Sequence, residues 1–236
     1  MSEVIITERF CGPSDSANGG YTCGLIAGFI EGPAQVTLRK PPPLGRPLTI
    51  QVNPDAAVRL LDQDALIAEG VAAAVDQDVP VPLTLHQARL GAERYEWARP
   101  SDHPYPNCFV CGPSRRERDG MRIFPGPVSG RDLYGAPWRP DDSLVDPQGQ
   151  VRPEFVWAAL DCPSGLVTNT FNPAGRILLG RLAVDLLRPV PGDGEYALAS
   201  WPIDQSGRRM STGSALFSEE GELHAVARAV WIEVQA

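Results

Sequence analysis

The sequence predicts an α+β protein assembled from two diverged copies of one small unit, and three observations point there. Each half carries a short apolar helix candidate, Gly20 to Ile30 and Glu154 to Leu160. Each then has a strand closing on a basic residue and a proline, and each ends in two long strands joined by an acidic turn. Any one amphipathic hairpin is common. The shared order of helix, strand and hairpin is what argues for an internal duplication.

Taken in order, the strand after the helix reads Val36-Thr37-Leu38-Arg39-Lys40-Pro41 in the first half and Val184-Asp185-Leu186-Leu187-Arg188-Pro189 in the second. The proline ends it because it has no N–H for a ladder. The hairpins turn at Asp62-Gln63-Asp64 and at Glu219-Glu220-Gly221, and their second arms match as Leu66-Ile67-Ala68-Glu69-Gly70-Val71-Ala72 and Leu223-His224-Ala225-Val226-Ala227-Arg228-Ala229. These readings divide the chain into a first half over 1–80, a connector over 81–106 and a second half over 107–236. Pro82, Pro100, Pro104 and Pro106 oppose regular structure in the connector, while Tyr95 and Trp97 are expected to pack on the body. A second Pro/Gly-rich stretch, Pro125-Gly126-Pro127 through Gly135-Ala136-Pro137, reads as a surface excursion.

The composition excludes several functions. Over 236 residues the chain is 43% hydrophobic and 21% charged, with no apolar run of membrane-spanning length. Its net charge of -8 argues against nucleic acid or an anionic membrane surface as the main partner, since both need a basic face, although Arg39, Arg181 and Arg188 lie beside the core strands and could meet a small anion. The start, Met1-Ser2-Glu3-Val4, has no basic region followed by an apolar one, and five cysteines is an odd number. Both features favour reduced thiols and a cytoplasmic location.

Asn107-Cys108-Phe109-Val110-Cys111-Gly112-Pro113, followed by Asp119-Gly120-Met121-Arg122-Ile123, by Trp138-Arg139-Pro140 and by a helix ending Ala158-Ala159-Leu160-Asp161, resembles a segment of hot-dog acyl-CoA thioesterases. The likeness covers about residues 107–236, and the first half only through its helix and following strands. It implies a double hot-dog: two curved antiparallel sheets, each wrapping a central helix. It also implies a hydrolase acting on an acyl-CoA or carrier-linked thioester. In that family the helix begins His-Gly-Gly, its first free N–H stabilises the developing oxyanion, and an acid eight residues after the first Gly activates water or attacks.

Placed on that pattern, the two helices complement each other. Asn18-Gly19-Gly20 keeps the donor, Gly19, but Ala27 stands where the acid would be. Arg152-Pro153-Glu154 loses the donor, since Pro153 has no N–H, while Asp161 keeps the acid. The resemblance therefore implies one composite site per chain with Asp161 and Gly19 catalytic. Asn18, Gly20 and Tyr21 would form the pocket floor, Leu25, Phe155 and Trp157 would line an acyl cleft, and a thioester-sized interval would separate acid from amide. Each piece also has a plain reading: Asn18 as a helix cap, Pro153 as an ordinary first-turn residue, Asp161 as a solvated helix end ahead of the helix-stopping Pro163. A non-catalytic acyl or small-molecule binding protein on the same fold is the alternative.

No cofactor and no metal are expected. Cys108 and Cys111 have ligand spacing and His103 lies five residues upstream, but tetrahedral zinc needs a fourth ligand and no second pair follows; Cys11, Cys23 or Cys162 could approach only through the fold. No phosphate loop or dinucleotide fingerprint occurs. Tandem hot-dog proteins often pair through their sheets, so a homo-oligomer is compatible with the reading.

Overall fold

The computed structural model describes residues 2–171 and 175–234. The first half contains strand β1 (Ser2–Ile5), helix α1 (Gly19–Ala27) and strands β2 (Ala34–Leu38), β3 (Pro47–Val52), β4 (Val58–Asp62) and β5 (Ala65–Ala72). Helix α2 (Leu85–Ala92) and the short pair β6 (Gly126–Pro127) and β7 (Tyr134–Trp138) follow. Helix α3 (Pro153–Leu166) precedes the long strands β8 (Arg176–Leu186), β9 (Tyr196–Ser206), β10 (Arg209–Phe217) and β11 (Leu223–Val234).

All the strands join one antiparallel sheet in the order β1-β3-β4-β5-β2-β8-β11-β10-β9-β7-β6. From β1 to β2 the first half runs first, third, fourth, fifth, second; from β7 to β8 the second half runs in the same order. The halves meet where β2 pairs with β8, in a register from Ala34 opposite Val184 to Thr37 opposite Arg181. The expected two sheets are thus one eleven-stranded sheet. Each half would otherwise present an unpaired edge of N–H and C=O groups, and pairing the two edges removes both.

Alternation explains why β9 and β10 are buried on both faces. Tyr196, Leu198, Met210 and Leu216 face the main core with both long helices, whereas Ala197, Ala199, Trp201, Ala215 and Phe217 belong to a second cluster with Leu83, Leu85 and Ala88. Helix α2 therefore covers the opposite face of the sheet from α1 and α3. It lies in the connector where prolines argued against regular structure, and a capping box makes it: the Thr84 hydroxyl accepts from the Gln87 N–H, and the Gln87 side chain accepts from the Thr84 N–H. The Pro/Gly-rich stretch read as a surface excursion instead forms the hairpin β6–β7 at the end of the sheet, with Val128, Leu133, Ala136 and Trp138 buried.

Helices α1 and α3 lie against each other antiparallel and in close contact. A Cβ built on Gly20 would sit 2.3 Å from Asp161 Cβ and 2.8 Å from the Trp157 carbonyl oxygen, and one on Gly24 would sit 2.5 Å from Glu154 Cα. Those neighbours are backbone or the root of a side chain, so they cannot swing away. Gly20→Ala is accordingly expected to destabilise the fold by about 3 kcal/mol through overpacking. Thermal denaturation should show Tm lowered by roughly 6–12 °C for a chain of this size.

Helix α3 also runs past Pro163, where a stop or kink was expected, to Leu166. The backbone acceptors around the proline are met from the side: Ser214 Oγ donates to the Leu160 carbonyl at 2.8 Å and Ser164 Oγ to the Asp161 carbonyl at 2.7 Å. Trp231 Nε1 in turn donates to Ser164 Oγ at 3.1 Å, which ties this end of the helix to β11.

Candidate active site

A helix begins with N–H groups that have no partner within the helix, and the fate of each in α1 defines the site. The Tyr21 N–H donates to Asn18 Oδ1 at 2.8 Å and the Thr22 N–H to the Asn18 carbonyl at 3.1 Å. The Gly20 N–H donates across to α3, reaching Asp161 Oδ2 at 2.8 Å. Among the described residues, nothing accepts from the Gly19 N–H. One donor at the positive end of the helix is left over, beside the one that holds a carboxylate.

Asn18 is both a cap and a positioning residue. While its Oδ1 takes the Tyr21 N–H, its Nδ2 donates to Asp161 Oδ2 at 3.0 Å and lies 3.6 Å from Cys162 Sγ. The Asp161 side chain therefore has one oxygen fixed by two donors. Its other oxygen, Oδ1, is buried without a hydrogen-bond partner, and the residue is only 2% exposed. Leaving such a group unmet costs about 1–3 kcal/mol, a cost that calls for an explanation such as chemical use. Burial pushes the carboxyl up to about 7; the Gly20 N–H works against this, negative charge on Cys108 adds to it, and the Asn18 amide works against it. A carboxyl held near neutrality can both take and return a proton.

The remaining expected site residues fall into two groups. Leu25 is half-buried, whereas Phe155 and Trp157 are core residues with 0% and 2% exposure. Tyr21 stacks on Phe10 with ring centroids 4.3 Å apart and belongs to an aromatic cluster with Phe109 and Phe155; burial pushes its hydroxyl up to about 12. The side chains beside Gly19 are instead Leu38 and Leu179, which a built Cβ would meet at 3.1 and 2.8 Å. The expected interval between acid and amide is closed at Gly20 by direct contact. Leu38 and Leu179 carry no pattern that would have singled them out in the sequence.

At the other end of the helix pair, the antiparallel register carries Ala27 toward the start of α3. Arg152 caps that start with no side-chain hydrogen bond, and its guanidinium lies 4.5 Å from the Phe155 ring centroid and 3.6 Å from Glu154. Pro153 supplies no N–H there, so an arginine and an aromatic ring occupy the position symmetric to the site.

The fold brings a third cysteine to the Cys108–Cys111 pair, as the sequence left open: Cys162, the residue after Asp161. The three Sγ atoms lie within 4.8 Å of one another. Hydrogen bonds from the Cys111 and Cys162 thiols hold the Cys108 thiol well below its ordinary range, and the same contact with Cys108 pushes Cys162 up. Only tertiary structure could reveal this cluster, because more than fifty residues separate Cys162 from the other two.

No protein-family model matches the sequence, and no curated protein matches it either. Solved structures do. A provisionally named thioesterase from Novosphingobium aromaticivorans is 10% identical with a TM-score of 0.65, covering 99% of this chain and 95% of that one. A provisionally named thioesterase II from Thermobifida fusca is 15% identical with a TM-score of 0.62, covering 99% and 92%. A conserved protein of unknown function with a hot-dog fold from Alicyclobacillus acidocaldarius is 12% identical with a TM-score of 0.62, covering 99% and 93%. The chain spans 61% of the length of a further match, a thioesterase superfamily protein, at a TM-score of 0.46. The fold is therefore that of the hot-dog proteins, with a large antiparallel sheet over its helices.

Proposed function

We propose that this hot-dog chain hydrolyses an acyl thioester, linked to coenzyme A or to a carrier, at one composite site between α1 and α3. The reading rests on a single observation: among the described residues the Gly19 N–H is the first-turn donor of α1 that no group accepts, and the next residue, Gly20, holds a buried carboxylate that has one oxygen anchored and one unengaged. Likeness of fold adds a prior and no more.

In this reading Asp161 Oδ1 takes a proton from water as the water oxygen bonds to the thioester carbon, or attacks that carbon itself. The carbonyl oxygen becomes an oxyanion that accepts from the Gly19 N–H. Collapse breaks the carbon–sulfur bond and the thiolate leaves, protonated by Asp161 in the general-base route or by water in the direct-attack route; in the latter, water then hydrolyses the Asp161–acyl anhydride, so that either route releases a carboxylic acid and a thiol. Asn18 and the Gly20 N–H hold the carboxylate in place throughout. Leu38 and Leu179, flanking Gly19, suit an aliphatic acyl group.

The same reading takes the chain as a double hot-dog that arose by internal duplication. The boundaries are 1–80 and 107–236 around the 81–106 connector, and the repeated strand order and the β2–β8 junction support them. No helix among the described residues is long and apolar enough to cross a membrane. We place the protein in the cytoplasm without a nucleic-acid or membrane partner, its homo-oligomeric association left to measurement.

The near-complete burial of Asp161 and the core placement of Phe155 and Trp157 favour a second reading, an acyl-binding protein without chemistry. A panel of short, long and aromatic acyl-CoA substrates, followed by release of free thiol, separates the two. Release above the spontaneous rate with at least one aliphatic substrate is expected. Calorimetric binding with no thiol release from any substrate would establish the second reading.

A further inference from the structure

Three sulfurs that this chemistry does not use converge beside Asp161. Cys108, Cys111 and Cys162 are free thiols with Sγ atoms within 4.8 Å of one another, and Cys108 and Cys162 are 3.6 Å apart. Two come from one tight turn and the third from α3.

The turn is built around its first cysteine. The Gly112 N–H closes it on the Cys108 carbonyl at 2.9 Å. A Cβ on Gly112 would lie 2.5 Å from both the Cys108 nitrogen and its carbonyl oxygen and 2.6 Å from the Pro106 oxygen, so no larger residue fits. Tyr95 fastens the far side by donating its hydroxyl to the Cys111 carbonyl at 3.2 Å. Thiols that merely fill space need no turn locked on both sides, whereas a ligand site must hold its sulfurs in place.

We propose that Cys108, Cys111 and Cys162 bind one soft, thiophilic cation with a filled d shell, Zn(II) or Cu(I). Sulfurs at about 2.3 Å from a tetrahedral ion stand about 3.8 Å apart, so the thiols already lie near the required spacing. His103 is not the fourth ligand in this arrangement. Its Nδ1 accepts from the Tyr105 N–H at 2.8 Å, which leaves the proton of the neutral ring on Nε2 and no lone pair there to donate. The protein thus offers an all-sulfur set of three, which suits Cu(I) as it stands and Zn(II) with one added oxygen donor.

The test uses the full chain, reduced and metal-free, titrated without oxygen with Zn(II) and separately with Cu(I) against a chromophoric chelator. One equivalent per chain of at least one ion is expected, with affinity lowered about 100-fold or more in Cys162→Ser. Cys23→Ser, on α1 outside the cluster, should keep the wild-type stoichiometry. X-ray absorption on the loaded wild-type protein needs no variant. Three sulfurs alone or three sulfurs with one oxygen support the site, and the two results tell the copper mode from the zinc mode. Fewer than three sulfurs, no stoichiometric binding of either ion, or binding unchanged by Cys162→Ser overturns it.

Discussion

Asp161→Asn is expected to leave a folded protein that hydrolyses its best acyl-CoA substrate about 10²–10⁴-fold more slowly, the range for loss of a positioned general base. The substitution is nearly isosteric. Its carbonyl oxygen can take the place of Oδ2 and keep the bonds from the Gly20 N–H and Asn18 Nδ2, at 2.8 and 3.0 Å in the parent protein. The amide nitrogen takes the place of Oδ1, which has no partner to lose. Exchanging a buried carboxyl for a neutral group removes the desolvation of a charge, so Tm should stay level or rise. Paired rate and melting measurements read the two effects separately. Turnover within threefold of the parent protein would remove Asp161 from the chemistry; lost turnover together with a large fall in Tm would mark it as structural.

Gly19→Pro should lower kcat/KM about 10²–10³-fold relative to Gly19→Ala, the usual effect of deleting one oxyanion donor. The comparison between the two variants isolates the N–H. Both add a Cβ that meets Leu179 Cδ2 at 2.8 Å and Leu38 Cδ1 at 3.1 Å, the mobile ends of two side chains. Only proline removes the donor. The backbone accepts it, because a first-turn position suits proline and Asn18 already has the extended φ −60°, ψ 132° that a following proline demands. Pro153 occupies the same position in α3, so the variant gives one helix the residue its counterpart already has. Equal rates in the two variants would exclude the Gly19 amide as the oxyanion donor.

The parts of this molecule that could be read from the sequence are those set by local chemistry. Periodicity located the hairpins β4–β5 and β10–β11, and Asn18 and Pro153 marked the helix starts within a residue. Helix α2 was written in the sequence too, as Thr84 and Gln87 three residues apart, but the surrounding prolines outweighed it. What depends on long-range packing could not be read. Nothing in β2 or β8 says that they pair, and nothing around Pro163 says that Ser214 reaches from β10 to the neighbouring Leu160 carbonyl. The same limit applies within the site. A spacing of eight residues brings the Asp161 side chain to the start of α1, but adjacent amides sit about 100° apart around a helix, and packing alone decided that Gly20 meets the acid while nothing among the described residues accepts from Gly19.

In an assembly of identical subunits about a two-fold axis, a residue at the crossing of paired helices faces its own duplicate, so slimming one side slims both. Here the crossing is lopsided: Gly20 and Gly24 on one side receive Trp157 and Asp161 from the other. On the duplication proposed above, covalent linkage would let one helix become the socket and its counterpart the plug. A chimera with two sockets would leave a void where the tryptophan belongs, and one with two plugs would collide along the whole seam.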